Sequence, residues 1–253
     1  FLILFHRNVM NIDKKYYQKI NSNLTNTVQD TNIDAPNKKV GKVRDAYFLD
    51  DKVVMISTDR QSAFDRVLAA IPYKGAVLNS VSAWWFKKTE HLFPNHLIST
   101  PDPNVSIVEK CVVFPVEFVV RGYITGTTDT SLWTVYNNGD REYCGNTLPE
   151  GLKKNDKLDA PMLTPTTKDK VHDRPVSREE IIDLGLMSAE DYDIAAKMSL
   201  DLFAFGQETA KKNGLILVDT KYEIGTDSSG KIKFVDEIHT PDSSRFWISG
   251  SYK

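Results

Sequence analysis

The chain has 253 residues, enough to bury a sizeable core in one or two domains. Its composition, 41% apolar and 26% charged, is that of an ordinary globular protein and argues against a disordered or fibrous chain. A formal charge of −2 leaves no basic footprint for nucleic acid, and the two cysteines, Cys111 and Cys144, form no disulfide framework and show no metal-ligand spacing.

Reduced thiols in the cytoplasm are the expected state. The apolar run Phe1–Phe5 is too short for a signal peptide or a membrane span, and nothing else approaches that length, so no membrane partner is expected. The first nine residues read as vector-derived or as a misplaced start, because Met10 opens a more ordinary polar beginning. Residues 1–40 form an N-terminal arm with an amphipathic scrap around Tyr16, Tyr17 and Ile20, and no chemistry is legible in it.

From Lys39 to Ser57 the pattern is a β-hairpin, with a turn at Asp50-Asp51 and with Gly41, Lys42 and Arg44 on its first strand. Such a hairpin can lie over nucleotide phosphates, although a lone Gly-Lys on a strand is more often structural. Ser57-Thr-Asp-Arg-Gln-Ser-Ala-Phe-Asp-Arg66 packs polar groups directly after an apolar strand. It is either a site containing Asp59 and Arg60 or a solvated loop in which Asp59 pairs with Arg66. Residues 78–92 carry helical spacing at Leu78, Val81, Trp85 and Leu92, with Pro94 as the stop. Trp84, Trp85 and Phe86 read as core.

Phe114–Val120 reads as a strand that delivers Arg121, with Glu117 alone in its apolar run as either a paired core carboxylate or a cleft residue. Residues 137–176 are loop-rich and include His172-Asp173, given low weight as a site. Ser177-Arg-Glu-Glu180 and Ser188-Ala-Glu-Asp191 are helix-start patterns, the second opening a long helix that closes at Asn213-Gly214. Leu215–Gly225 and Lys231–Ile238 then form a hairpin. Period two puts Asp219, Lys221 and Glu223 on one face, and the return strand ends in Asp236-Glu237, so that Glu223 and Asp236 are expected to share a cation. The alternative is a solvated hairpin face; the oxyanion-holding exit Thr240-Pro-Asp-Ser-Ser-Arg245 favours a site. Strands, a long helix and a final hairpin predict an α+β fold of antiparallel sheets with helices.

Five separated motifs carry a resemblance: Gly41-Lys-Val-Arg-Asp45; Ser57-Thr-Asp-Arg60 with Ser62-Ala-Phe-Asp65; Val116–Gly126; Val218–Gly225; and Asp236–Trp247. In this order they resemble the phosphoribosylaminoimidazole-succinocarboxamide synthase (SAICAR synthetase) family. The segment Thr164–Lys168 with His172-Asp173 is similar to the longer, yeast-like variety. The resemblance implies a fold related to ATP-grasp enzymes, with a nucleotide cleft between a lobe at 41–115 and a larger lobe at 116–253. It also implies ATP-dependent joining of the carboxylate of 5-amino-1-(5-phosphoribosyl)imidazole-4-carboxylate (CAIR) to L-aspartate, giving SAICAR, ADP and phosphate.

By motif match, Glu223 and Asp236 hold Mg2+ and the ATP phosphates, Lys42 and Arg44 cover the phosphates, and Glu117 faces the nucleotide. The same resemblance implies that Asp219, Lys221 and Arg121 lie at the reacting carboxylate, that Arg121, Ser243, Ser244, Arg245, Asp59 and Arg60 contact substrate, and that Asp242 caps a helix whose N-terminus helps bind the ribose phosphate. Thr127 stands where the family usually has serine, which keeps the hydroxyl. The family continues past the position of Lys253 into a C-terminal segment that this sequence lacks, which puts the aspartate pocket in question. A monomer or small homo-oligomer is expected. The competing readings are a small-molecule kinase on a related fold and a nucleotide-binding relic without chemistry.

Overall fold

The computed structural model describes residues 14–63, 66–168 and 174–252. The expectations placed on residues 1–9, on Phe64-Asp65 and on His172-Asp173 lie outside that range.

Helix α1 (Lys14–Asn21) precedes strands β1 (Lys38–Val40), β2 (Arg44–Phe48) and β3 (Lys52–Ser57). Two short strands, β4 (Arg60–Ala63) and β5 (Arg66–Ala70), pair antiparallel before helix α2 (Lys74–Thr89). β6 (Leu97–Asp102) and β7 (Val105–Glu109) return to the first sheet, whose order is β1-β2-β3-β7-β6, antiparallel throughout. Gly75 fixes how α2 meets this sheet, because a Cβ there would lie 2.2 Å from the Ser57 carbonyl oxygen. Only glycine allows the helix to start against the end of β3.

β8 (Val112–Tyr123) begins the larger sheet. It is followed by α3 (Leu132–Asn137), the hairpin β9 (Glu142–Tyr143) and β10 (Asn146–Thr147), and strands β11 (Lys157–Leu163) and β12 (Thr166–Thr167). Then come α4 (Arg178–Asp183), α5 (Ala189–Lys212), β13 (Leu215–Thr226), β14 (Ile232–Val235) and β15 (Ser244–Ile248). The sheet runs β11-β8-β13-β14, with β12 also on β8 and β15 also on β13, all antiparallel. The expected α+β layering is what forms.

Both helix starts read from the sequence are present: Ser177 makes a reciprocal capping box with Glu180, and the Ser188 side chain accepts from the Asp191 amide. α5 covers one face of β13 and β8, burying Leu202, Phe203, Phe118, Tyr222 and Ile224 in the main core, which Trp85 and Phe86 of α2 join. A smaller cluster of Ile124, Leu132, Tyr136 and Leu158 packs beside the exit of β8.

Several expectations change. Trp84 is half-exposed, with the Lys88 ammonium 5.0 Å from its ring centre, and is not core. The helix at 78–92 runs instead over 74–89. Gly41 is not within a strand: Gly41–Val43 is the turn between β1 and β2, and a Cβ on Gly41 would sit 2.7 Å from the Arg44 carbonyl oxygen. Lys42 therefore stands exposed at a hairpin tip.

Candidate active site

The centre of the site is the face of β13 that α5 does not cover. Tyr222 and Ile224 point into the core, so Asp219, Lys221 and Glu223 point the other way, as period two requires. The neighbouring strands add to this face in register. Arg121 of β8 and Arg245 of β15 both lie opposite Asp219, and Glu117 of β8 lies opposite Glu223.

Asp219 has Arg245 Nη2 at 3.4 Å and Arg121 Nη1 at 4.0 Å, and its Oδ2 has no hydrogen-bond partner. Burial pushes its carboxyl up, and the two guanidinium charges pull it back only in part. Arg121 is aimed by a hydrogen bond from its Nε to the Thr164 hydroxyl, 2.9 Å. Asp219, Arg121 and Arg245 line an open cavity of about 370 Å3 together with Lys221, Asp242 and Ser243. Lys74, at the start of α2, reaches across to Asp242 at 2.6 Å. Nothing in the sequence pattern singled Lys74 out, because this pair spans 168 positions.

Further along the same face lies a set of ion pairs. Lys221 Nζ donates to Glu117 at 2.8 Å, Lys168 pairs with Glu223, and Arg44 pairs with Asp236 and, at 2.8 Å, with Glu237. Glu117 is thus a paired carboxylate, opposite Glu223 in the sheet. Burial would depress the Lys221 ammonium, but the charge and hydrogen bond of Glu117 outweigh it and hold it above its ordinary value. Glu223 is pushed up, first by burial and then by the neighbouring Asp236 charge, against the pull of Lys168.

Asp236 reaches this cluster by a route the hairpin pattern does not predict. Glu223 pairs with Val235, so on a continuing ladder Asp236 would oppose Tyr222 and share its core face. The strand stops at Val235 and Asp236 adopts φ +61, which turns it out of that alternation. His96 is buried nearby, its amide donating to the Phe234 carbonyl at 3.1 Å and its Nε2 without a hydrogen-bond partner.

Asp59 and Arg60, expected as substrate contacts, have a different role. Asp59 accepts from the amides of Val28 and Gly75, at 2.8 and 2.9 Å, and so ties the N-terminal arm to α2. Arg60 donates to the Asp45 carboxylate at 2.6 Å and to the carbonyls of Gln29, Gly41 and Lys42. Both residues are buried, so the stretch is not a solvated loop, and Asp59 does not pair with Arg66. Residues 27–31, set aside as arm, are held by these bonds against the first sheet.

The expected helix after Asp242 is also absent: Ser244 opens strand β15. Ser244 shares a hydrogen bond with the Thr220 hydroxyl at 2.7 Å, while Ser243 is engaged with Thr240. Arg245 is the member of that triplet facing Asp219.

A divalent cation fits Glu223 and Asp236. Both offer hard oxygens, and Asp236 helps push Glu223 up, as two carboxylates do when they share a space suited to a cation. Among the described residues no cluster of three or more His, Cys, Asp or Glu side chains could hold a metal. Two carboxylates are what Mg2+ takes when phosphate oxygens and water complete its octahedron.

A sequence model of the SAICAR synthetase family matches residues 37–253. The chain belongs to the SAICAR synthetase family. Its reaction is the ATP-dependent joining of CAIR to L-aspartate, giving SAICAR, ADP and phosphate in purine biosynthesis. The phosphoribosylaminoimidazole-succinocarboxamide synthase of Legionella pneumophila is 59% identical over 224 residues, covering 88% of this chain and 72% of that protein. The chloroplastic enzyme of Arabidopsis thaliana is 58% identical over 239 residues, covering 92% of this chain and 58% of its own length. The solved SAICAR synthase of Saccharomyces cerevisiae, complexed with SAICAR, superposes with a TM-score of 0.79 at 32% identity, covering 89% of this chain and 81% of that one. A type-2 SAICAR synthetase in complex with ADP gives 0.72 at 28% identity, covering 86% of each chain.

Proposed function

We propose that the two ends of the cleft divide the labour of this ligation. A carboxylate is a poor electrophile, so the CAIR carboxylate oxygen attacks the γ-phosphorus of ATP, ADP leaves, and an acyl phosphate results. The aspartate amine then attacks the acyl carbon and phosphate departs. Crowding these anions together requires fixed cations, and positioning supplies the remainder of the rate.

In this reading Arg121 and Arg245 hold substrate anions, and Asp219 and Lys221 stand at the reacting carboxylate. Asp219, with one oxygen unpartnered and its carboxyl pushed up, is suited to receive a proton from the attacking amine. Lys42 at the hairpin tip and Arg44 cover the ATP phosphates. Glu223 and Asp236 would hold Mg2+, which when bound neutralises charge on the phosphates. The proposed lobes, 41–115 and 116–253, are supported by there being two separate sheets, although the first sheet starts at Lys38 and β8 of the larger one at Val112. The observation that carries the reading is Asp219 flanked in register by two arginines, beside the carboxylate set at Glu223 and Asp236.

A monomer or small homo-oligomer is the proposed assembly. The proposed compartment is the cytoplasm, on the strength of the unpaired Cys111 and Cys144. The Arabidopsis relative carries a chloroplastic name. Among the described residues no helix is long and apolar enough to cross a membrane.

The test is phosphate release from ATP with Mg2+ and CAIR, with and without L-aspartate, alongside Glu223→Gln and Asp236→Asn. Release should require both substrates and yield the succinylated product by mass. Release indifferent to aspartate would point to a kinase, and near-parental turnover of both variants at saturating Mg2+ would remove these carboxylates from the metal site.

A further inference from the structure

We propose that Lys168 is a phosphate-binding residue that holds the Glu223 carboxylate in the nucleotide-free protein and transfers to a nucleotide phosphate when a divalent cation takes its place. The inference rests on the reading of Glu223 as a metal ligand and adds a residue which that reading does not contain.

Lys168 forms an ion pair with Glu223 Oε2. Mg2+ coordinates oxygen at about 2.0–2.1 Å and demands near-octahedral geometry. An ammonium seated on that oxygen competes directly with the metal for it, so one must leave when the other arrives.

The main chain leading into Lys168 is held by hydrogen bonds, and the charged head stands at the end of a long stem. Thr166 and Thr167 pair with Glu117 and Val116 of β8, and the Lys168 amide donates to the Pro115 carbonyl at 3.1 Å. The side chain is a flexible four-carbon stem, about one third exposed (32%), against 16% for Glu223. Rotation about the stem moves the charge without moving β12.

The local charge count supports an exchange over simple loss. Glu117, Glu223, Asp236 and Glu237 face Lys168, Lys221 and Arg44. Lys221 is tethered to Glu117, and Arg44 to both Asp236 and Glu237, so each keeps an anionic partner if a metal enters. Lys168 loses the carboxylate it holds. The nearest compensation for a displaced ammonium at this end of the cleft is the polyanion that arrives with the metal.

The experiment compares the parent chain with Lys168→Met and Lys168→Arg, with folding checked by thermal melting. Mn2+ binding without nucleotide is read by the loss of free-ion paramagnetic resonance. Binding of the β,γ-imido analogue of ATP with Mn2+ is read by calorimetry. Lys168→Met should bind free Mn2+ about tenfold more tightly and the Mn2+–nucleotide analogue about tenfold more weakly, with Lys168→Arg near the parent on both. Either affinity unchanged in Lys168→Met overturns the exchange. Glu223→Gln separates the premise: if it keeps parental Mn2+ affinity the metal reading itself falls. If it loses Mn2+ while Lys168→Met changes nothing, only the lysine inference falls.

Discussion

Two buried charge clusters, one around Asp45 in the first sheet and one around Glu223 in the larger sheet, are built to opposite ends. Asp45 takes bonds from Arg60 (2.6 Å), from the Thr31 hydroxyl (2.7 Å) and from Lys38 (3.1 Å), and its side chain is fully buried. Burial alone would push this carboxyl up, but its three partners hold it below its usual range. Glu223, also largely buried, has Lys168 and a repelling neighbour in Asp236, and is pushed up. The Asp45 cluster is satisfied internally and acts as scaffold under the Gly41–Val43 turn. The Glu223 cluster is left short of cations, as a site meant to receive one would be.

The comparison can be broken by exchanging the phenotypes. Arg60→Ala strips Asp45 of its main partner and should cost about 3–5 kcal/mol of stability, read as a lowered urea midpoint. Glu223→Gln should cost on the order of 10³ in turnover, about 4 kcal/mol of activation, while leaving the urea midpoint within about 1 kcal/mol of the parent. A stable Arg60→Ala, or a Glu223→Gln that unfolds as readily, would erase the distinction.

Acid sharpens the contrast. Burial holds His96 near 4 and His239 near 3, against 6.5 for a free imidazole. The unfolded chain takes up these protons below pH 6.5 and the folded chain refuses them, so stability is full above that value and falls as pH drops. By pH 4 the loss should reach about 3 kcal/mol for each histidine. A urea midpoint that stays flat from neutral pH down to pH 4 would contradict this burial. The smallest effect is expected at Ser177→Ala, which removes the cap of α4, a helix that supplies none of the site residues named above. It should lower stability by about 1 kcal/mol and leave turnover unchanged, and a turnover loss there would tie α4 to the site.

Much of the site was legible because it lies on single strands. Period two along 215–226 assigns Asp219, Lys221 and Glu223 to one face, and no packing detail can change that without slipping the register. The caps at Ser177 and Ser188 were legible for the same reason, being bonds between residues three positions apart. The motif at Ser57–Arg60 misled because dense polarity marks both a ligand site and a scaffold joint. Only the partners tell them apart, and for Asp59 those are Val28 and Gly75.

By itself, then, the sequence determined the α+β class, the polar face of β13, the helix starts and, through five ordered motifs, the family. These depend on local periodicity and on residues that recur together. Tertiary structure alone decided that Asp236 leaves its strand at a left-handed residue to reach the cleft and that Arg60 serves the scaffold. It also decided that Lys168 and Lys74 stand among the site's charges. Each of these is a pairing across tens to hundreds of positions, set by how β8, β12, β13 and the two sheets come together, and no local pattern encodes such a distance.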